Sequence, residues 1–471
     1  MKRLTPILIA AALTACNIDD EYGYELPPDE KVTAPIVRLN ESAEQLTTTE
    51  EFGIWLCPAI EGKWDSLSWW VDEHYAGNAR KMHLSPSLGT HTIKVEAHKN
   101  GTSEVATASH SVTIRVVEAE ELPLNIYVPQ SSYSVVMGQT LRIAPIVFAP
   151  APKAEFVWSI NGTEVQRGEQ AHLDFVGESE GTHSLTLAAG GQAFDFSVKC
   201  IAVDKVTPRT AESTSSASAT KVWEYAPAAG QFINTGVNDR SPEEYAEQSL
   251  AKGSVVSLGG FGGRLVVGFD HSVMCSGDYD IRIRGNSFDN SSEPGVVWVM
   301  QDTDGNGRPD DTWYELRGSE HDSDSTQHNT AITYLRDVAH PLADIQWRTA
   351  DGNCGVVERN IYHTANSYYP EWSHTRLTLW GTLLSSRVVL RGSSYIALPS
   401  GGGYVDNFGS DRDGVWNRFR ISDAVRPDGT LANLTHIDFV MIQSAVSHCA
   451  PNIGEISTEV SAIEDISLTT R

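Results

Sequence analysis

Short runs in which apolar and polar residues alternate make up most of the chain from about residue 31 onward. In HTIKVEAHK (91–99) and HSVTIRVV (110–117) apolar side chains recur at every second position, which is the period of a β-strand with one buried face. Gly, Asn and Ser turns separate such runs at short, regular intervals, as they do in antiparallel β-sandwiches. We therefore predict an all-β protein.

One part of this pattern occurs twice. The segment LSWWVD (67–72) comes before LGTHTIKVEAHKNG (88–101), and EFVWSING (155–162) comes before EGTHSLTLAAGG (180–191). In both copies a tryptophan strand precedes a strand that begins with Gly-Thr-His. The two triplets start at positions 89 and 181, and this offset of 92 residues is the size of one Ig domain. The repeat predicts two tandem Ig-like sandwiches.

These two predicted domains resemble the PKD-like and other Ig-like modules of bacterial surface proteins. Trp70 and Trp158 are predicted to pack in the two cores, because a tryptophan on a central strand faces the opposite sheet in such folds. Ligand contact is the alternative for both. His91 and His183 stand at equivalent repeat positions, which favours a structural role over catalysis. The predicted bounds of the domains are 31–117 and 122–206.

The composition changes after the second repeat. TPRTAESTSSASATK (207–221) contains mainly Ser, Thr and Ala and is predicted to be a linker. Residues 222–471 carry short apolar strands and Gly-rich turns, and they are predicted to form one larger, jelly-roll-like β-sandwich domain. Helical periodicity is confined to SPEEYAEQSLAKG (241–253), where Ser241 followed by Glu244 predicts a capping box.

The N-terminal segment has the features of a bacterial lipoprotein signal. A Lys-Arg pair precedes an apolar run (7–13) that is too short to span a bilayer. The run ends in Leu-Thr-Ala-Cys, which matches the lipobox, and Cys16 is therefore the predicted lipidation site. An ordinary cleavage site with an incidental cysteine is the alternative. Residues 1–16 form the predicted signal peptide, and the acidic residues 17–30 form a tether.

The tether NIDDEYGYELPPDE resembles the acidic export tag of surface lipoproteins in Bacteroidetes, which implies an outer-membrane protein exposed at the cell surface. No later segment reaches the ~18 uninterrupted apolar residues of a membrane helix, so contact with the membrane is predicted only through the lipid anchor. The formal net charge of −26 argues against nucleic acid and against an anionic membrane surface, because both would be repelled. Neutral ligands, cations and basic protein surfaces remain as partner classes.

The cysteines that follow Cys16 are scattered, odd in number and without a C-x-x-C pair. Neither a cysteine zinc site nor a dense disulfide framework is predicted from this usage. The compartment would permit one bridge among Cys275, Cys354 and Cys449, and the sequence does not distinguish the pairs.

The most specific chemical motif is the loop QDTDGNGRPDDTW (301–313). Its D-x-D-x-N-G spacing matches the first half of an EF-hand loop. Because Ca²⁺ takes about six to eight oxygen ligands, alternate side chains on a tightly curled loop can converge on one ion. An EF-hand has Glu where this loop has Trp313, and the flanks are strand-like, so the loop resembles the calcium loops of thrombospondin type 3 repeats. The predicted Ca²⁺ ligands are Asp302, Asp304, Asn306, Arg308 through its carbonyl, Asp310 and Asp311.

A solvated acidic hairpin and a catalytic carboxylate pair are the alternatives to a structural Ca²⁺ site. Carboxylates that converge on a turn repel one another without a cation, and an acid–base pair needs surroundings that separate the two pKa values. The metal is therefore favoured. A second acidic cluster, Asp406, Asp411 and Asp413, fits no spacing rule, and both a further cation site and a surface loop are compatible with it.

The segment IYHTANSYYPEWSHTRLTLWG (361–381) concentrates aromatic side chains with polar tips around a proline. Such side chains suit stacking on a sugar ring or another flat ligand. Filling one end of a sandwich core is the competing interpretation, and the pattern favours it slightly. The candidate ligand-binding residues are Tyr362, His363, Tyr368, Tyr369 and Trp372.

The chain contains no G-x-S-x-G, H-E-x-x-H or G-x-x-x-x-G-K-[ST] motif, and its histidines follow no triad spacing. These motifs would have indicated a hydrolase, a zinc protease or a phosphate-binding loop. We therefore predict a protein without enzymatic activity.

The lipobox, the acidic tether, the tandem repeat and the pieces GGFGGRLVVGFDHSV, GNSFDNSSEPGVVWVMQDTDGNGRPDDTWYEL and GEISTEV resemble the PKD-like cell-surface lipoproteins of gut Bacteroidetes. Members of this group look like accessory proteins of outer-membrane uptake loci, some of which serve cobalamin. The resemblance implies capture of a small ligand, a corrinoid or a glycan, for an uptake system with a TonB-dependent outer-membrane transporter as candidate partner. The alternatives are a calcium-dependent polysaccharide hydrolase and an adhesin that binds a protein.

Overall fold

The structure is a computed structural model of the chain, and it describes residues 32–101, 104–360, 362–364 and 366–469. The predicted signal peptide, the lipidation site Cys16 and the acidic tether lie outside the described residues. Within the described part, no helix is both long and apolar enough to cross a membrane.

The first Ig-like domain is built from nine strands: β1 (Ile36–Arg38), β2 (Thr47–Thr48), β3 (Ile54–Leu56), β4 (Ala59–Glu61), β5 (Ser66–Val71), β6 (His74–Gly77), β7 (Met82–Leu84), β8 (Gly89–Asn100) and β9 (Val105–Val116). Its main sheet has the order β2-β9-β8-β5-β6, while β1 pairs with β4 and β3 with β7. The pairing of β2 with β9 is parallel, and the other strand pairs are antiparallel.

The second Ig-like domain repeats this arrangement with nine further strands: β10 (Ile126–Tyr127), β11 (Ser132–Val136), β12 (Thr140–Ile143), β13 (Ile146–Val147), β14 (Phe156–Ile160), β15 (Thr163–Gly168), β16 (Leu173–Val176), β17 (Gly181–Ala189) and β18 (Gln192–Ile201). The main sheet has the order β11-β18-β17-β14-β15, and its first pairing is again parallel. Strand for strand, this order is the same as in the first domain, so the predicted tandem of Ig-like sandwiches is confirmed.

The core tryptophans of the two domains are Trp69 and Trp158, both fully buried. Each indole N–H donates to a backbone carbonyl, from Trp69 to Ala79 at 2.8 Å and from Trp158 to Ala171 at 3.1 Å. The prediction for Trp158 is confirmed, whereas the prediction for Trp70 is wrong by one position. Because side chains alternate along a strand, Trp70 faces outward and is only half-buried.

The two histidines of the Gly-Thr-His triplets occupy matching positions. His91 Nε2 lies 2.7 Å from the carbonyl of Ser87, and His183 Nε2 lies 3.1 Å from the carbonyl of Ser179. Both contacts hold the turn before the strand against the start of the strand. The predicted structural role of these histidines is confirmed.

The C-terminal domain contains one α-helix, α1 (Pro242–Ala251), and twenty strands within the described residues. The strands are β19 (Lys221–Ala226), β20 (Val256–Ser257), β21 (Arg264–Met274), β22 (Ile281–Arg284), β23 (Gly295–Met300), β24 (Trp313–Leu316), β25 (Gln327–Leu335), β26 (Ile345–Thr349), β27 (Cys354–Val357), β28 (Arg376–Leu383), β29 (Val388–Arg391), β30 (Ser394–Ala397), β31 (Arg412–Asp413), β32 (Trp416–Phe419), β33 (Ala424–Val425), β34 (His436–Ser444), β35 (Cys449–Ala450), β36 (Gly454–Glu455), β37 (Glu459–Val460) and β38 (Ala462–Asp465). Short 3₁₀ turns cover Ala119–Glu121, Val203–Lys205, Ile421–Asp423 and Ile466–Leu468.

Three larger sheets organise this domain. Their orders are β19-β21-β34-β23-β24-β33, β27-β26-β25-β28 and β31-β32-β22-β38. The main core lies around the central strand β34, and it includes Val297, Val440 and Ile442. Helix α1 begins with the predicted capping box, in which Ser241 Oγ accepts from the Glu244 N–H at 3.1 Å. The predicted multi-domain β-sandwich class is confirmed.

Both Ig-like domains pack against the C-terminal domain. From the first domain, Arg80 pairs with Asp344 at 2.8 Å, and Cys57 packs in an apolar contact with Cys354. The predicted linker is also held, since Arg209 pairs with the buried Asp438 at 2.9 Å. All cysteines of the described residues are free thiols.

Candidate functional sites

The acidic loop joins two neighbouring antiparallel strands. Strand β23 ends at Met300 and β24 begins at Trp313, and these two residues are paired across the sheet. The predicted strand flanks are therefore confirmed. Gly305 and Gly307 have φ values of +70° and +72°, a backbone conformation that glycine adopts without strain. The loop thus curls back on itself between two fixed ends.

Three carboxylates converge inside this loop. One oxygen from each of Asp302, Asp304 and Asp311 lies within 4.8 Å of the others. Asp302 is 6% exposed and Asp311 is 0% exposed. Among the described residues, nothing hydrogen-bonds to Oδ1 of Asp302 or to Oδ1 of Asp311. Two buried acceptor atoms without a donor carry a large desolvation cost, which a bound cation would remove.

The other predicted ligands, Asn306, Arg308 and Asp310, form hydrogen bonds with one another within the loop. Asn306 Nδ2 donates to Asp310 Oδ1 at 3.0 Å, and Asn306 Oδ1 accepts from the Arg308 N–H at 2.7 Å. Asn306 is exposed. These three residues therefore lie at the rim, outside the group formed by the three converging carboxylates.

The electrostatics of the loop favour a cation. Burial raises the pKa of Asp311 to about 8, and the neighbouring carboxylates of Asp304 and Asp302 add to the shift. Burial also raises the pKa of Asp302. A carboxylate with a raised pKa is one whose negative charge lacks compensation. A hard divalent ion with oxygen preference would supply that compensation.

The aromatic segment divides into core and surface residues. Tyr368 and Tyr369 are fully buried and pack with Phe261 and Ile332 in a core cluster. Because this core encloses both rings, neither tyrosine has a ring face that is open to a ligand. Trp372 is 37% exposed and lies 6.1 Å from the ring of Tyr225.

Tyr362 and His363 differ from their neighbours because both are exposed, Tyr362 at 73%. They stand on the wall of an open cleft of about 500 Å³. Phe232 contacts His363 edge-on at 4.8 Å between ring centroids, and Tyr395 also lines the cleft. Amide and acidic side chains provide the rest of the lining: Asn286, Asp289, Asn290, Glu293, Asn360, Asn452 and Glu459.

Carboxylates of Glu293, Asp406 and Glu459 meet at one side of this cleft, with one oxygen of each within 4.8 Å of the others. Asp406 is fully buried and accepts hydrogen bonds from the backbone N–H groups of Asn286, Ser287 and Glu459 at 2.8, 2.7 and 2.9 Å. Asp406 is therefore held as the fixed member, while Glu293 and Glu459 both line the open cleft.

The three carboxylates do not have ordinary acidities. Burial, with the Asp406 charge nearby, raises the pKa of Glu459 to about 7. Burial raises the pKa of Asp406 even though three backbone N–H groups and Arg412 oppose the shift. Burial also raises the pKa of Glu293, and the charges of Asp406 and Glu459 add to this shift. Carboxyl groups with raised pKa values in a cleft are a common feature of functional sites. At neutral pH this group can hold a proton, donate hydrogen bonds, or take up a cation.

Sequence reasoning missed this carboxylate group. Its members come from three separate segments, at 293, 406 and 459, so no spacing rule detects them. A signal was nevertheless present, because Glu293 and Glu459 stand in two of the pieces that carry the family resemblance. The acidic cluster at 406–413 is divided by the fold: Asp406 joins the cleft group, Asp411 is buried elsewhere, and Asp413 is exposed.

No protein-family model and no curated protein matches the chain. Similar solved structures include fibronectin(III)-like modules of Clostridium thermocellum CbhA, with 10% identity, a TM-score of 0.18, and coverage of 38% of this chain and 100% of that one. A chimeric titin Z1Z2 tandem has 16% identity, a TM-score of 0.19, and coverage of 36% and 96%. The central fibronectin-III array of RIM-binding protein has 10% identity, a TM-score of 0.16, and coverage of 52% and 82%. These scores are too low to support an argument, and the β-sandwich fold rests on the strands and sheets described above.

Proposed function

We propose that the protein is a non-catalytic, cell-surface lipoprotein whose C-terminal domain captures a small ligand in the polar cleft. The observation that carries this proposal is the composition of the cleft, where exposed rings stand beside amide and carboxylate groups. Ligand sites combine apolar contact surfaces with a few converging polar groups that set orientation. The resemblance to PKD-like surface lipoproteins of gut Bacteroidetes supports the same role.

A glycan suits the cleft better than a corrinoid does. Sugar hydroxyls both donate and accept, and the amide side chain of Asn290 offers both functions at the cleft. Asn286 and Asn452 also line the cleft, with part of their hydrogen-bonding capacity used on Glu459 and on the Tyr395 backbone. Tyr362 and Tyr395 present aromatic rings for the apolar face of a sugar ring. The net charge of −26 also favours a neutral ligand over an anionic one.

Ca²⁺ bound by the acidic loop is the second part of the proposal. The ion would contact Asp302, Asp304 and Asp311, and its role would be structural. The loop connects β23 to β24 and touches the second Ig-like domain, so an ion there would stiffen the joint between the two domains. Binding of an ion to the folded state alone adds stability by mass action.

Anchoring through lipidated Cys16 and delivery of the ligand to a TonB-dependent outer-membrane transporter complete the proposal. Both rest on the lipobox and on the family resemblance. In this arrangement the two Ig-like domains would display the cleft above the membrane surface.

The test is a binding titration of the purified protein with oligosaccharides and with cobalamin. Tyr362→Ala removes an exposed ring from the cleft and is expected to weaken glycan binding by about 10-fold or more, in line with the loss of one stacking contact. Tyr75→Ala is the matched control, since Tyr75 is also exposed but lies on the first Ig-like domain. Equal affinity of both variants and the unaltered protein would contradict a ligand site at Tyr362.

The second candidate function is polysaccharide hydrolysis, and the pair Glu293 and Glu459 favours it. Their oxygens lie within 4.8 Å, nearer to the ~5–5.5 Å carboxyl separation of retaining glycosidases than to the ~6.5–9.5 Å of inverting ones. A reducing-sugar assay on polysaccharides decides between the two functions. Release that disappears in both Glu293→Gln and Glu459→Gln would establish hydrolysis, and binding without release would support capture.

A further inference from the structure

A separate cavity of about 170 Å³ lies between the second Ig-like domain and the C-terminal domain. Tyr133 and Leu141 line it from the Ig-like side, and Trp298, Trp313 and Trp380 line it from the C-terminal side. Trp298 and Trp380 meet edge-on, with centroids 5.4 Å apart. The Nε1 of Trp298 is buried without a hydrogen-bond partner among the described residues.

Glu315, His321 and His328 also line this cavity, and they form a group with the composition of a transition-metal site. One ligand atom from each lies within 4.8 Å of the others. Glu315 Oε2 and His328 Nδ1 are 3.5 Å apart. Two ligands that both lie ~2.1 Å from a tetrahedral zinc ion are separated by about 3.4 Å. The spacing of this pair is therefore already that of two ligands on one ion.

Each of the three side chains has an outer hydrogen bond of the kind that orients metal ligands. His328 Nε2 lies 2.9 Å from the carbonyl of His321, and its Nδ1, which lies 3.2 Å from the Thr382 hydroxyl, would exchange that contact for the ion. His321 Nδ1 lies 3.1 Å from Asp322 Oδ1, which leaves Nε2. Glu315 Oε2 accepts from the Thr382 hydroxyl at 2.6 Å. Outer partners of this type fix the histidine tautomer and the direction of the ligand atom.

We propose that Glu315, His321 and His328 bind a divalent transition-metal ion of the zinc class at the wall of this cavity. Imidazole nitrogen prefers such borderline ions, whereas Ca²⁺ prefers oxygen alone. The site is therefore distinct in chemistry from the acidic loop. It is also independent of the proposed glycan cleft, which lies among other residues.

Two histidines and one carboxylate leave a fourth tetrahedral position. Because all three ligands line the cavity, that position opens into it. It would take a Lewis-basic group of a small, flat ligand, with the tryptophan rings against its faces. The Ig-like domain closes one side of this cavity, so access to the ion would depend on both domains.

The test is titration of metal-stripped protein with Zn²⁺ and, separately, with Co²⁺, in excess Ca²⁺ so that the acidic loop is occupied. We expect about one Zn²⁺ per chain and the visible absorption of tetrahedral Co²⁺. His321→Ala and His328→Ala are expected to abolish both signals. Asp322→Asn, at an exposed outer partner, is expected to weaken binding about 10- to 100-fold.

His340→Ala is the matched control, because His340 also pairs with an aspartate, Asp337 at 2.8 Å, away from the cavity. Zn²⁺ affinity and the Co²⁺ spectrum should be unchanged in this variant. The proposal is overturned if Zn²⁺ binds below one equivalent, or if His321→Ala, His328→Ala and Asp322→Asn bind as tightly as His340→Ala. Circular dichroism of each variant confirms that lost binding does not reflect an unfolded chain.

Discussion

Lys199 Nζ lies 2.9 Å from Asp304 Oδ2, so a lysine of the second Ig-like domain contacts the acidic loop of the C-terminal domain. The lysine side chain is 44% exposed and the aspartate side chain 8%. Next to this pair, the Thr312 hydroxyl donates to the carbonyl of Ser134 at 2.8 Å. The loop is thus held from both domains, and among the described residues Lys199 is the one cation that forms an ion pair with its carboxylates.

Ca²⁺ is expected to raise the melting temperature of the protein. At a Ca²⁺ concentration 100 times its dissociation constant, the free energy of unfolding should rise by about 2.7 kcal/mol. Asp302→Asn and Asp311→Asn should each remove most of this increment, because both residues supply a buried oxygen without a donor. Differential scanning calorimetry with and without a chelator measures the effect.

The control for this prediction is Asp324→Asn, which changes an exposed aspartate outside the loop. Its response to Ca²⁺ should equal that of the unaltered protein. An unchanged melting temperature on adding or chelating Ca²⁺ would show that the loop binds no calcium.

Lys199→Met is expected to strengthen Ca²⁺ binding. The lysine competes with the ion for Asp304, so its removal leaves the carboxylate free for the metal. The cost to the stability of the metal-free protein should be at most about 1 kcal/mol, because the pair is partly exposed and screened. Isothermal titration with Ca²⁺ measures the affinity, and urea unfolding in chelator at two salt concentrations measures the stability cost. Weaker Ca²⁺ binding by Lys199→Met would contradict the prediction.

Glu455 is one of the buried carboxyls that should make the free energy of unfolding fall as the pH rises from about 4.5 to about 8. Burial raises the pKa of this carboxyl from 4.5 to about 8, and its Oε2 has no hydrogen-bond partner among the described residues. The folded protein therefore keeps a proton that the unfolded chain has lost in this window, and such a difference lowers the free energy of unfolding with rising pH. One group contributes at most about 1.4 kcal/mol per pH unit.

Urea unfolding at pH 5 and pH 8 tests this slope. Glu455→Gln should make the slope less negative by the share of one carboxyl, since the amide keeps the shape and carries no charge. Glu50→Gln, at an exposed glutamate, should leave the slope as it is. An equal slope in Glu455→Gln and Glu50→Gln would show that Glu455 does not contribute to it.

Trp69→Ala should destabilise the first Ig-like domain by about 3–5 kcal/mol, the usual cost of removing a buried tryptophan. Trp70→Ala is the natural comparison. This neighbour faces outward, with Lys94 4.9 Å from its ring, and its loss should cost about 1 kcal/mol or less. Hydrogen exchange of the β5 and β8 amides reports on this domain, and equal effects of the two substitutions would contradict the assignment of the core residue.

Local features of the molecule were predictable because their causes are local. The capping box of Ser241 and Glu244 needs only two residues one helical turn apart. The acidic loop was predicted between strands because its flanks alternate or contain β-branched residues. The error at Trp70 has the same origin, since the face of a strand depends on register, and two adjacent tryptophans leave that register open.

The sequence by itself determined the β class, the two-fold repeat, the helix and the acidic loop. Each of these follows from the spacing of residues within a short segment or, for the repeat, from one offset of 92 residues. Only the tertiary structure decided that Tyr368 is core while Tyr362 is exposed, because both have the same local pattern. It also brought together Glu293, Asp406 and Glu459, and Glu315 with two histidines. These groups form only when the sheets and domains pack against one another. That packing is driven by the burial of apolar surface along the whole chain, so no short segment predicts it.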